Sequence, residues 1–126
     1  MNTKDIGKIG ENAATKFLRR NRYKIVERNI HISHNEIDII ARNKRFIVFV
    51  EVKTRSTDAN MDFKFGTPAS AVDAKKQKRT VEAARSFLKC GKYGGLQPRF
   101  DVFEVFICKN THKLIKINHI ENAFGA

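Results

Sequence analysis

Residues 35–53, NEIDIIARNKRFIVFVEVK, carry the pattern that decides the fold. Residues 36–41 and 45–53 are rich in Ile, Val and Phe, a composition typical of β-strands. The polar connection between them, Arg42-Asn43-Lys44, has the length of a hairpin turn. We therefore predict two neighbouring antiparallel strands.

The flanking segments predict the remaining elements. Residues 2–21 carry apolar side chains three and four positions apart, which indicates an amphipathic helix. Residues 23–29 alternate like a short strand, although Arg28 and Asn29 are more typical of a loop. The polar residues 54–67 predict a long loop.

The second half of the chain predicts a second helix and a second hairpin. Pro68 suits the first turn of a helix that ends at Gly91, with an interruption near Asp73. Residues 100–108 and 113–120 then alternate around a polar turn. The predicted order is helix, three strands, helix, two strands, which is an α/β fold.

The length and net charge of the chain restrict the kinds of protein that it can be. The 126 residues, of 14.5 kDa, suit a single domain spanning residues 1–126. A net charge of +12 favours a polyanionic partner, nucleic acid before an anionic membrane. No apolar run approaches the roughly 20 residues that span a bilayer, and no signal peptide is recognisable. We expect a cytoplasmic protein with no membrane partner.

Two carboxylates converge in the predicted hairpin. Period-two alternation places Glu51 and Lys53 on the same face as Phe49. A turn about residues 43–44 puts Asp38 opposite Phe49 and diagonal to Glu51, with side-chain roots about 7 Å apart. Two adjacent carboxylates need a proton or a cation between them, and Mg²⁺, or Mn²⁺, prefers such oxygen ligands.

An ordered set of motifs extends over nearly the whole chain. The motifs are GxxGExxA at residues 7–14, NEIDII at 35–40, FVEVKTR at 49–55, FGTP at 65–68 and RFDV at 99–102. This set resembles the YraN-like family of bacterial proteins, which are predicted endonucleases of the PD-(D/E)xK superfamily, similar to archaeal Holliday junction resolvases. The chain departs from the pattern at Asn35, where the family usually has Gly. Ile37 stands where the superfamily has Pro, a substitution that the family shares.

The resemblance implies a fold and a set of site residues. The fold is a restriction-endonuclease-like mixed β-sheet of about five strands flanked by two main helices. Asp38 and Glu51, with the Val52 carbonyl, are implied to ligate a metal, and Glu11 to approach it directly or through water. Lys53 is implied to orient the attacking water or to stabilise charge on the phosphate. Branched or junction DNA and a homodimer are also implied.

Basic side chains predict the nucleic-acid contacts. A basic run at a helix start is usually only a solvated face, but further basic residues follow this one and favour DNA phosphate contact. The residues expected to bind nucleic acid are Arg55, Lys75, Lys76, Gln77 and Arg79. For Asp101, holding an arginine or a turn is favoured over metal binding.

Two functions remain open at this point. The first is a Mg²⁺-dependent endonuclease that hydrolyses DNA phosphodiester bonds at branched or junction structures. The alternative is a nucleic-acid-binding module of the same fold without turnover, although Asp38, Glu51 and Lys53 are all present. Membrane binding through an amphipathic helix is weaker, because each helix needs its one apolar face for the sheet.

Overall fold

Five strands form one mixed sheet with two helices in the predicted order. The computed structural model describes residues 3–57 and 73–125. The elements are α1 (Thr3–Arg20), β1 (Lys24–Ile32), β2 (Asn35–Arg42), β3 (Phe46–Thr57), α2 (Ala74–Leu88), β4 (Gln97–Cys108) and β5 (Leu114–Phe124). The predicted α/β class and the sheet of about five strands between two main helices are confirmed.

The strands lie in the sheet in chain order, β1-β2-β3-β4-β5. β3 and β4 are parallel, and the connection between them contains α2. The other neighbouring pairs are antiparallel. β2 and β3 are therefore interior strands that carry their side chains on both covered faces.

Each face of the sheet has its own apolar core, one under each helix. Ala14 and Leu18 of α1 pack with Val48 and Val50 of β3. On the opposite face, α2 packs against Ile47 and Phe49 of β3, as well as Ile37 and Ile40 of β2. The alternation in β3 follows the period of two expected of a strand covered on both sides.

All five strands are longer than predicted, and two of the extensions take in residues expected in loops. Arg28 and Asn29, expected in a loop, belong to β1, where Arg28 pairs with Ile39. β1 is an edge strand, so it accommodates polar residues that would be costly in the interior of the sheet. Residues 54–57, also expected in a loop, continue β3 because they pair with β4 as far as Cys108.

The β2–β3 pairing register differs from the prediction by two residues, which moves the centre of the turn one residue later. Ile40, not Asp38, lies opposite Phe49. The Asn43 side chain accepts hydrogen bonds from the backbone N–H groups of Arg45 and Phe46, which centres the turn beyond Asn43. A shift of two residues keeps each paired side chain on its predicted face. Ile37 and Ile40 nevertheless pack in the same core, so the alternation of β2 is interrupted between them, where Asp38 lies.

α2 begins at Ala74 with Asp73 as its N-cap. The Asp73 carboxylate accepts a hydrogen bond from the backbone N–H of Lys76 at 2.8 Å. The predicted helix start at Pro68 and the rest of the predicted loop, residues 58–67, lie outside the described residues. The helix ends before Gly91, whose φ of 78° is in the left-handed region.

Candidate active site

Asp38 and Glu51 come together where β2 and β3 stop pairing. The last paired residues are Ile39 and Val50, so Asp38 and Glu51 each lie one residue beyond them. Asp38 Oδ2 accepts a hydrogen bond from the backbone N–H of Val52 at 2.8 Å. Glu51 is buried, and its side chain is 8% exposed.

The acidic pair, Asp38 and Glu51, carries more negative charge than its surroundings accommodate. Burial and the nearby Glu51 carboxylate raise the pKa of Asp38 to about 7. The Val52 N–H and the Lys76 charge act in the opposite direction but only partly offset the rise. The pair therefore favours a bound proton or an additional cation.

Two lysines share one oxygen of Glu51. Lys53, two residues along β3, places Nζ 3.5 Å from Glu51 Oε1. Lys76, from the first turn of α2, places Nζ 2.9 Å from the same oxygen. Burial by itself would lower the pKa of Lys76, but the hydrogen bond and charge of Glu51 raise it above the usual value. Lys76, predicted from the sequence as a DNA contact, thus lies at the centre of the candidate site.

Glu11 lies near the acidic pair but already has partners. Its charge contributes to the raised pKa of Asp38. Its Oε1 accepts hydrogen bonds from Arg28 Nε at 3.0 Å and from Asn29 Nδ2 at 2.9 Å. Arg28 also donates to the Asn12 side chain. In this structure Glu11 orients two residues of β1 beside the site.

A cleft lies beside Glu11, between α1 and the first two strands. It has a volume of ≈ 780 Å³, and its lining includes Glu11, Arg28 and Glu36 together with Lys8 of α1. A second, smaller cleft of ≈ 190 Å³ is lined in part by Glu36, Lys76 and Arg79. The linings of these two clefts include Glu11 and Lys76, which neighbour the acidic pair, but not Asp38 or Glu51 themselves.

The donor set suits a hard divalent cation. In the described ranges, 3–57 and 73–125, no three His, Cys, Asp or Glu side chains form a ready metal cage. Asp38 and Glu51 nevertheless offer carboxylate oxygens, and their mutual repulsion would be relieved by a cation. The N–H and C=O of one strand residue point to the same neighbouring strand, so the Val52 carbonyl is directed toward Asp38. The residues therefore fit a Mg²⁺ or Mn²⁺ ion completed by water.

The other predicted nucleic-acid contacts are divided between α2 and β3. Lys75 and Arg79 are exposed on α2, and Gln77 is half-buried there. Arg55 is on β3, with Nε 3.4 Å from Oε2 of the buried Glu104 on β4. Positive charge therefore extends from the acidic pair along both elements.

Asp101 is fully buried and belongs to a different group of side chains. It receives two hydrogen bonds from Arg99, at 2.8 and 2.9 Å, and one from the backbone of Asn122. His119 Nε2 lies 2.7 Å from the same carboxylate, and Arg99 also donates to the Tyr23 hydroxyl. Burial would raise the pKa of Asp101, but the hydrogen bonds of His119 and Arg99 lower it. The expectation that Asp101 holds an arginine is confirmed.

Three contributions to the site were missed from the sequence. The first is the contact of Lys76 with Glu51. The second is the binding of Glu11 by Arg28 and Asn29. The third is the ion pair of Glu104 with Arg55. The alternation of β4 places Glu104 among buried apolar residues, and this is the one signal that could have identified it.

Two further observations concern membranes and thiols. Among the described residues, no helix is long and apolar enough to cross a membrane. Cys90 and Cys108 are free thiols.

Comparison with known proteins yields one family. A sequence model described as "Uncharacterised protein family UPF0102" matches residues 10–105. A UPF0102 protein of Caldanaerobacter subterraneus subsp. tengcongensis is 44% identical over 124 residues, covering 98% of both chains. One from Clostridioides difficile is 39% identical over 124 residues, covering 98% of this chain and 100% of the relative.

Among solved structures, Pyrococcus furiosus SfsA in complex with Ca²⁺ aligns with a TM-score of 0.36 and 14% identity. The alignment covers 95% of this chain and 64% of that one. A score this low carries no argument about fold or function.

Proposed function

The chain belongs to the UPF0102 family, and we propose that it is a Mg²⁺-dependent endonuclease of the PD-(D/E)xK superfamily that hydrolyses DNA phosphodiester bonds. Family membership agrees with the YraN-like resemblance of the sequence. The nuclease activity rests on the site itself.

The observation that carries the proposal is the acidic pair with its lysines. Asp38 and Glu51 meet where the pairing of β2 with β3 ends, and Lys53 and Lys76 lie within 3.5 Å of Glu51. An ordinary surface ion pair needs one carboxylate and one cation. This site has two carboxylates and two ammonium groups, and the pKa of one carboxyl, Asp38, is raised to about 7. Such a combination suits a centre that binds a divalent cation and a phosphate.

Each residue has a role in phosphodiester hydrolysis. Asp38, Glu51 and the Val52 carbonyl would hold the metal, which when bound supplies Lewis-acid polarisation and a more acidic water. Lys53, at the edge of the pair and one-third exposed, can orient the attacking water or stabilise negative charge on the phosphate. Glu11 keeps Arg28 directed toward the adjoining cleft.

The positive surface supplies the affinity for DNA. A net charge of +12 favours polyanions, and Lys75, Gln77 and Arg79 project from the helix that delivers Lys76 to the site. Arg55, on β3, adds a further positive charge to this surface. Branched or junction DNA is the proposed substrate, and a homodimer would double the basic surface presented to it.

A binding module without turnover is the second candidate, and one observation favours it. Glu51 is already neutralised by two lysines, an arrangement that a purely structural ion-pair cluster would also show. The two candidates differ in whether DNA is cut. Both predict salt-sensitive DNA binding.

The test uses labelled four-way junction, flap and duplex DNA, with Mg²⁺, Mn²⁺ or EDTA. Cuts that require the metal would support the endonuclease and identify its preferred DNA structure. Binding without cuts under every metal condition would support the binding module instead.

A further inference from the structure

Lys76 occupies the position beside Glu51 where a metal would be expected to add positive charge. Its Nζ lies 2.9 Å from Glu51 Oε1, closer than the 3.5 Å of Lys53. The charges of Asp38 and Glu36 also act favourably on it. Among the described residues, no other helix side chain makes an ion pair with the acidic pair.

The position of Lys76 is fixed at its backbone and adjustable at its tip. Its backbone N–H is bound by the N-cap Asp73, so the first turn of α2 is held in place. Its side chain is 45% exposed, whereas the Glu51 side chain is 8% exposed. A long lysine side chain with this exposure can turn from Glu51 to solvent without movement of the helix.

The ammonium group of Lys76 is close to a second basic side chain across a small cleft. Lys76 also lines the cleft that contains Arg79, a predicted phosphate contact. Phosphate binding there would give Lys76 an alternative anion, while a divalent cation would give Glu51 an alternative partner.

We propose that Lys76 is an exchangeable counterion: it neutralises the acidic pair in the metal-free protein and transfers to a nucleic-acid phosphate when a divalent cation takes its place. The proposal rests on the metal site of the proposed function. Because the two exchanges occur together, metal and phosphate binding strengthen one another, and by linkage the effect is reciprocal.

Metal affinity without DNA tests the exchange directly. Free Mn²⁺ is measured by electron paramagnetic resonance during titration of the wild type, Lys76→Met, Lys78→Met and Glu51→Gln. Methionine keeps the unbranched side chain and removes the charge, and exposed Lys78 on the same helix is the matched control. Circular dichroism establishes that each variant is folded.

Because the competing charge is removed, the Kd of Lys76→Met for Mn²⁺ should be about tenfold lower than that of the wild type. The Kd of Lys78→Met should be close to the wild-type value. Glu51→Gln should bind Mn²⁺ much more weakly than the wild type. Ca²⁺ should also tighten binding of junction DNA, measured by fluorescence anisotropy, more in the wild type than in Lys76→Met.

Two results would overturn the exchange. An unchanged or weaker Mn²⁺ affinity in Lys76→Met, with binding still lost in Glu51→Gln, refutes the role of Lys76 and leaves the metal site intact. No Mn²⁺ binding by either the wild type or Lys76→Met refutes the metal site together with the exchange.

Discussion

The carboxylate of Asp38 on β2 accepts a hydrogen bond from the backbone N–H of Val52 on β3, with Oδ2 2.8 Å from the nitrogen. Val52 lies between Glu51 and Lys53, so this bond fixes Asp38 against the part of β3 that carries the other site residues. It also favours the charged form of Asp38, while burial and Glu51 favour the neutral form, which dominates until pH rises to about 7.

The raised pKa of Asp38 predicts how stability depends on pH. The folded state holds the Asp38 proton up to about pH 7, whereas the unfolded chain releases it near 3.8, so this group costs stability as pH rises between those values. Asp38→Asn removes that cost. Its free energy of unfolding relative to wild type should therefore increase between pH 4 and pH 7, by at most about 4 kcal/mol, and level off above.

Urea unfolding of the wild type and Asp38→Asn at a series of pH values measures this difference. A difference that is constant from pH 4 to pH 8 would show that the Asp38 pKa is not raised in the folded protein.

The close approach of α1 to β3 predicts contrasting effects at two glycines. A Cβ added at Gly10 would overlap the side chain of Thr54, whereas one added at Gly7 would meet nothing within 4 Å. Gly10→Ala should therefore destabilise the protein by about 1–3 kcal/mol. Gly7→Ala should be neutral or stabilising by up to about 1 kcal/mol, because alanine is the better helix former.

Thermal or urea unfolding of the two variants provides the measurement. Thr54→Ala should recover part of the loss in the Gly10→Ala background. Equal stability of Gly10→Ala and Gly7→Ala would contradict the close packing of α1 on β3.

The buried Asp101 group predicts a large structural effect away from the site. Asp101 is 0% exposed and is bound by Arg99, His119 and the backbone of Asn122. Asp101→Asn leaves the buried Arg99 without its anionic partner, which should cost about 3–5 kcal/mol. Exposed Glu121→Gln, on β5, is the control and should change stability by less than about 0.5 kcal/mol.

Denaturant unfolding distinguishes the two variants. If Asp101→Asn lowers the free energy of unfolding by less than about 1 kcal/mol, Arg99 must find another partner or water. The Asp101 group would then not be what holds β4 and β5 together.

The α2 surface predicts the salt dependence of DNA binding. If Arg79 contacts one phosphate, Arg79→Met should weaken binding to all sequences alike and reduce the slope of log K against log salt by about 1. Lys109→Met, at an exposed position after β4, should leave the slope unchanged. Fluorescence anisotropy across a range of salt concentrations makes the comparison, and equal slopes for both variants would exclude Arg79 from the DNA surface.

The order of the elements was predictable because it depends on local patterns. The period-two alternation of β3 and the apolar spacing of α1 specify both elements without tertiary information. The hairpin register was predicted two residues out because the Asn43 side chain caps the turn, a contact that the alternation does not reveal. Because the shift is an even number, the residues of β2 that pair with β3 stay on their predicted faces.

The candidate site was less predictable because its contacts join distant elements. Lys76 meets Glu51 only when α2 packs on the face of β3 that carries Ile47 and Phe49. Arg28 resembled a loop residue because a polar edge strand lacks the apolar alternation of an interior one. Residue types therefore indicated the acidic pair, while its partners depend on packing.

The acidic pair is proposed to cut DNA with the help of a divalent cation. The most direct test compares wild type with Glu51→Gln and the control Lys109→Met on a labelled four-way junction, with Mn²⁺ or EDTA. We predict Mn²⁺-dependent cuts by wild type and Lys109→Met, and none by Glu51→Gln although it still binds the junction. Equal cutting by Glu51→Gln, or cutting by wild type in EDTA, would contradict the claim.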